Sequence, residues 1–72
     1  MAIMKVLELM AESSKSWEDA AQQASMKAAK TLKGVRSVWV QDLSAVTDTK
    51  GKITTYRVNC KVSFEVKGGA GE

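Results

Sequence analysis

Ile53-Thr54-Thr55-Tyr56-Arg57-Val58-Asn59-Cys60-Lys61-Val62-Ser63-Phe64-Glu65-Val66 alternates between apolar and polar side chains over most of its length. Tyr56, Val58, Cys60, Val62, Phe64 and Val66 face one way, and Thr55, Arg57, Asn59, Lys61, Ser63 and Glu65 the other. A period of two sustained over such a run predicts a half-buried β-strand. At about 3.3 Å per residue it would extend roughly 45 Å. That is long for a chain of 72 residues. It predicts a strand that curves around its packing partner or projects beyond it.

Before this run, Thr47-Asp48-Thr49-Lys50-Gly51-Lys52 reads as a turn, with Gly51 free to take positive φ. Val35 to Val46 reads as a second strand, antiparallel to the first-named one. Val38, Val40 and Val46 are expected on its core face, and Ser37, Trp39, Gln41 and Leu43 on the other. Upstream, Trp17, Ala20, Ala21, Ala24, Ala28 and Leu32 recur at helical spacing, so a helix is expected from Ser16 to about Lys33. Ser16 followed by Asp19 resembles a capping box, Ser13 is a rival N-cap, and Gly34 is placed for the C′ position. Glu18 and Asp19 in the first turn and Lys27, Lys30 and Lys33 near the end suit the helix dipole.

Ile3 to Ala11 reads as the opening strand, followed by a polar break from Glu12 to Ser16. Ile3, Lys5, Leu7 and Leu9 alternate with Met4, Val6, Glu8 and Met10, so both faces are largely apolar. A sheet wet on one side should alternate cleanly. A second surface is therefore expected over the far face. The best-patterned strand belongs in the middle, with the opening strand on its far side. The expected architecture is α+β: β-α-β-β, a three-stranded antiparallel sheet wrapped around one helix. Residues 1–67 form one domain, and the glycine-rich residues 68–72 a flexible tail.

Composition narrows the function. A compact monomer of this size would still expose about 4,400 Å², so further burial between subunits would add stability. The chain has 11 basic and 8 acidic residues, a net charge of +3, no histidine and one cysteine. The absence of histidine removes the commonest general base and zinc ligand. A lone Cys60 forms no intrachain disulfide. Met1 to Met10 carries Lys5 and Glu8 without a long apolar run, so no signal peptide is expected. No run reaches membrane-spanning length. A reduced, cytoplasmic setting is expected. The scattered lysines lack the stripe of a strong DNA binder.

Candidate functional residues gather on the face turned from the helix: Ser37, Trp39, Gln41, Arg57, Asn59 and Lys61. Trp39 is either a subunit contact or a stacking platform for a planar ligand, and a ligand between subunits would combine the two. Arg57 and Lys61 read as a solvated strand face or as an anion clamp. Trp17 and Cys60 read as core. Glu8, Glu12, Asp42 and Asp48 lack a metal-ligand spacing, though an ion held between subunits is unreadable from one chain. No catalytic constellation emerges, so the chain is not read as an enzyme.

The early Lys5-Val6-Leu7-Glu8-Leu9 strand, Ser16-Trp17-Glu18-Asp19-Ala20, Lys30-Thr31-Leu32-Lys33, Val35-Arg36, Tyr56-Arg57-Val58 and Lys61-Val62-Ser63-Phe64 together resemble the dodecin family. The likeness covers residues 3–66. It implies a hollow shell of twelve subunits with cubic symmetry and a binding or storage role, with flavins stacked between tryptophans of neighbouring subunits. Under this alignment the family's stacking tryptophan falls on Ser37 and its flavin-bonding glutamine on Arg57. Two expected arginines fall near Ser44 and on Glu65. The resemblance thus implies an altered flavin pocket, with Trp39, two residues along, able to stack from a shifted position.

The resulting expectation is a dodecin-like homododecameric protein that binds or stores a small planar or anionic ligand. FMN, riboflavin or another flavin, coenzyme A, or no cofactor at all fit the altered pocket. The alternative is a flavin-independent, structural or ion-associated assembly. A third reading, a single-stranded nucleic-acid binder, is weakened by a face with one aromatic and two basic groups.

Overall fold

The computed structural model describes residues 3–66; the expected tail at 68–72 lies outside the described residues. The elements run β1 Met4–Ser13, α1 Trp17–Thr31, β2 Val35–Thr47 and β3 Ile53–Glu65. They form one antiparallel sheet in the order β1-β3-β2. The strand with the clearest alternation is therefore central and paired on both sides. Its two faces meet different surroundings, as its pattern requires.

Local chemistry sets the helix ends. Ser16 holds the N-cap in extended conformation, and its Oγ accepts from the Asp19 N–H at 2.9 Å. Ser13 serves the same turn differently: its hydroxyl donates to Asp19 Oδ2 at 2.6 Å and accepts from the Lys15 N–H at 2.9 Å. Each such cap contributes about 1 kcal/mol. The helix stops before Lys33, because Leu32 is already extended and its N–H bonds the Ala28 carbonyl at 2.8 Å. Gly34, at φ 77°, therefore lies beyond the cap rather than at C′, and turns the chain into β2. Its carbonyl accepts from the Glu65 N–H at 3.0 Å, which ties this turn to the end of β3.

Ala20, Ala24 and Ala28 are buried on the helix and meet Val58, Cys60 and Val62, the buried residues of β3. Leu9, Ala11, Trp17, Ala21 and Val38 close around them. Methyl side chains let the helix backbone lie close to the sheet. The cover is short, however. The 15-residue helix is about 22 Å long, while the 13-residue β3 spans about 43 Å. The hairpin of β2 and β3 projects past the helix, and the chain extends 57 Å along its longest axis. Its radius of gyration is 15.1 Å, against about 11 Å for a compact chain of this length. Its accessible surface is 5405 Å², well above the roughly 4,400 Å² of a compact monomer.

Two expectations are corrected here. The polar residues after Ala11 do not end β1, since Glu12 pairs with Arg57 and Ser13 with Tyr56. Facing opposite charges across the ladder is favourable, so the strand continues. The second correction concerns β2, which carries register shifts between Val35 and Ser37, Val40 and Asp42, and Val46 and Thr47. Gln41 is the extra residue of the middle bulge. An inserted residue reverses the alternation that follows it. Leu43 consequently pairs with Val58 on the helix side, and Val46 pairs with Thr55 on the opposite side. Val38 packs on the core as expected, but Val40 is only partly covered and Val46 does not join it.

Candidate functional site

The sheet face turned from α1 is built in rows across β1, β3 and β2. In order they are Val6–Ser63–Ser37, Glu8–Lys61–Trp39, Met10–Asn59–Asp42 and Glu12–Arg57–Ser44. Successive rows lie about 6.6 Å apart. Among the described residues no helix covers them. Trp39 is 66% exposed, Met10 63% and Val6 57%. A tryptophan this exposed, flanked by two exposed aliphatic residues, is the most apolar feature of the face.

Five of the six expected residues lie in these rows on β3 and β2, and Gln41 does not. Lys61 extends over Trp39, with Nζ 5.6 Å from the ring centroid, a cation–π geometry. Ser37 shares a hydrogen bond with Ser63 at 2.5 Å in the neighbouring row, so short side chains flank the indole. Asn59 sits between Met10 and Asp42. Arg57 is farther off: four residues from Lys61, it stands about 13 Å along the strand, and its Nε donates to Glu12 Oε2 at 2.5 Å. Its charge is thus held by a carboxylate of β1. The structure brings Trp39 and Lys61 together, and separates Arg57 from them. Gln41 occupies the bulge, outside the paired rows.

Of the two residues read as core, Cys60 is buried and Trp17 is partly buried against the core cluster. Trp17 packs edge-on to Tyr56, with ring centroids 4.8 Å apart and planes at 76°. Its indole Nε1–H donates to the Ser44 carbonyl at 2.7 Å. That bond covers part of the free edge of β2. Cys60 is fully buried, and burial raises its thiol pKa above the ordinary 9.0. The neutral thiol is inert as a nucleophile.

The contribution of β1 to this face was missed residue by residue. Glu8 lies opposite Lys61, and Glu12 opposite Arg57. The signal was present in the apolar character of both faces of β1, but assigning partners needs the strand register. Among the described residues, no group of three or more His, Cys, Asp or Glu side chains is close enough to hold a metal ion. No helix among them is long and apolar enough to cross a membrane.

Comparison with known proteins gives a consistent family. The family model described as Dodecin matches residues 3–67. The calcium dodecin of Mycobacterium tuberculosis (strain ATCC 25618 / H37Rv) is 34% identical over 67 residues, covering 93% of each chain. A crystal structure of that organism's calcium dodecin, described as calcium chelating and as having a novel calcium-binding site, superposes with a TM-score of 0.79. It is 31% identical and covers 97% of this chain and 99% of its own. An arginine-to-alanine mutant of the Thermus thermophilus dodecin superposes with a TM-score of 0.87. It is 26% identical and covers 96% of this chain and 100% of its own.

Proposed function

The chain belongs to the dodecin family, and we propose that it is a self-assembling subunit, twelve to a shell, that binds a small planar or anionic ligand over Trp39. The carrying observation is the exposed indole with the Lys61 ammonium beside it on an otherwise uncovered sheet face. An indole offers stacking worth roughly 1–3 kcal/mol per ring contact, judged from nucleobases. The short side chains of Ser37 and Ser63 leave space beside it for a flat molecule. A flavin or flavin nucleotide suits such a surface, in a pocket altered from the family's own at Ser37, Ser44, Arg57 and Glu65.

Self-assembly is supported by what one chain fails to bury. Val58 and Val62 are the only large aliphatic residues with almost no exposure among the described residues, while Ile3, Met4, Val6, Leu7, Met10, Trp39, Val40 and Leu43 are all substantially exposed. Exposed apolar surface on both faces of a sheet is the mark of association. Copies packed on it would cover Trp39 and enclose its ligand.

Light scattering and an absorption spectrum on one purified sample test this reading. The expected result is a particle near twelve times the 7.8 kDa chain, with tryptophan fluorescence quenched on titration with FMN or riboflavin and unaffected in Trp39→Phe. A stable monomer, or fluorescence untouched by either flavin at high micromolar concentration, would refute it.

A second reading, an ion-associated assembly without flavin, is favoured by the relative named calcium dodecin. Glu8, Glu12 and Asp42 share the outer face, and carboxylates from adjacent copies would be needed to complete an oxygen cage. Under this reading the particle is colourless, and chelation of divalent ions lowers its melting temperature.

A further inference from the structure

Lys61 occupies the place a ligand would take on Trp39. The two residues are cross-strand partners, and the ammonium sits 5.6 Å from the indole centroid. A stacked aromatic ring has its centroid at about 4.5–7 Å from its partner's. Ring and ammonium therefore compete for one region of space above the indole. A ligand stacking on that face must first move the ammonium aside.

We propose that Lys61 is a specificity-determining residue that admits planar ligands bearing an anionic group and disfavours neutral ones. The proposal rests on Trp39 being the stacking platform. A neutral planar ligand displaces the ammonium and supplies nothing in return, so it loses the existing contact. A ligand with a phosphate or carboxylate offers the displaced ammonium a new partner at the ring's edge. The long flexible stem of lysine suits this exchange, because its head group swings through several ångströms without moving the strand.

The surroundings set the size of the effect. Glu8 lies across the ladder from Lys61 on β1. It provides the ammonium with a second resting place, which softens the penalty for neutral ligands. It also repels an incoming anion. Arg57 does not substitute for Lys61, since it is paired with Glu12 farther along the face. Removing the ammonium should thus act on ligand class rather than on stacking as such.

The test compares riboflavin with FMN, which share a ring system and differ by one phosphate, by flavin-fluorescence titration of the purified assembly. Wild type should favour FMN by up to about fivefold at low salt, the value of one exposed ion pair, since the cation–π contact is given up to either flavin. Lys61→Met keeps the stem and removes the charge. It should tighten riboflavin by about two- to fivefold and bring the FMN-to-riboflavin ratio near unity. Glu8→Gln should tighten FMN and weaken riboflavin slightly, so that the ratio between them widens. Raising salt to about 1 M on the wild-type protein should also collapse the ratio, because screening at that strength acts within roughly 3 Å; this arm needs no variant to fold. If both flavins bind and the ratio is the same in wild type, in Lys61→Met and at high salt, the role of Lys61 is overturned and the platform stands. If neither flavin binds any of these proteins, the platform itself is refuted and the selectivity with it.

Discussion

Replacing Trp17 by phenylalanine separates the two contacts by which the helix start is fastened to the hairpin. The aromatic ring meets Tyr56 edge-on at 4.8 Å, and a phenyl ring retains most of that contact. The Nε1–H bond to the Ser44 carbonyl, 2.7 Å long, is lost outright. A hydrogen bond of this kind contributes about 0.5–1.5 kcal/mol. Its acceptor lies on a free strand edge, where water takes over, so the lower half of that range applies. The smaller ring also gives up roughly 40 Å² of covered apolar surface, about 1 kcal/mol. The expected loss is about 1–2 kcal/mol, or roughly 5–15 °C in melting temperature for a domain of this length. Thermal unfolding followed by far-ultraviolet circular dichroism reads it. Trp17→Ala should fall further, by about 3–5 kcal/mol in all, since it removes the ring as well. A Trp17→Phe melt indistinguishable from wild type would show that neither the edge bond nor the lost surface contributes. A Phe variant as unstable as the Ala variant would place the whole contribution on the hydrogen bond, against the reasoning above.

Three smaller effects follow from other residues. Gly34→Ala meets only ordinary contacts, the nearest being Glu65 at 3.5 Å, but must hold φ near 77°; a loss of about 1 kcal/mol in denaturant titration is expected from the left-handed backbone alone. Cys60 has a folded-state pKa raised above 9.0 by burial, so its contribution to stability is complete below that value and declines as pH rises through it toward the folded pKa. The alkaline fall in stability should accordingly be shallower in Cys60→Ala than in wild type when the two are compared from pH about 8 to 11. Glu12→Gln removes an ion pair whose side chains are 42% and 49% exposed, and the shift in denaturation midpoint should correspond to at most about 1 kcal/mol and vanish at high salt.

The central strand was readable because its alternation reports two different surroundings directly. Val58, Cys60 and Val62 had to face the alanine stripe of the helix, which follows from local pattern, whereas Ser16 and Ser13 were rival N-caps that only the bond from the Asp19 N–H to Ser16 separates. Leu43 and Val46 were assigned to the wrong faces for a definite reason. Alternation in β2 is broken at Gln41, and a bulge has no signature in a strand whose residues on either side are both mixed in polarity. The same limit hid the partners of Glu8 and Glu12. Their charges were visible, but a register shift of one residue would have sent both to the helix side. Trp39 stood out because it is a large aromatic among polar neighbours, which needs no register to notice. Its pairing with Lys61 did need one.

The mismatch between a short helix and long strands connects fold to function. A helix of alanines can approach a sheet closely, but it covers only the middle of a surface about twice its length. The remainder, including Leu43 on the helix side and Met10, Val6 and Trp39 on the other, is left without cover by the chain's own connectivity. Lengthening the helix would bury the inner part only. Among the described residues no element is available to the outer face, because both connections of the sheet, the helix and the tight turn at Gly51, are already used. A ligand platform on that face, as proposed, would become enclosed on the arrival of another copy. Binding at Trp39 and association of the subunits would then share one surface, and the charge of Lys61 would be the feature that distinguishes a guest molecule from a neighbouring chain.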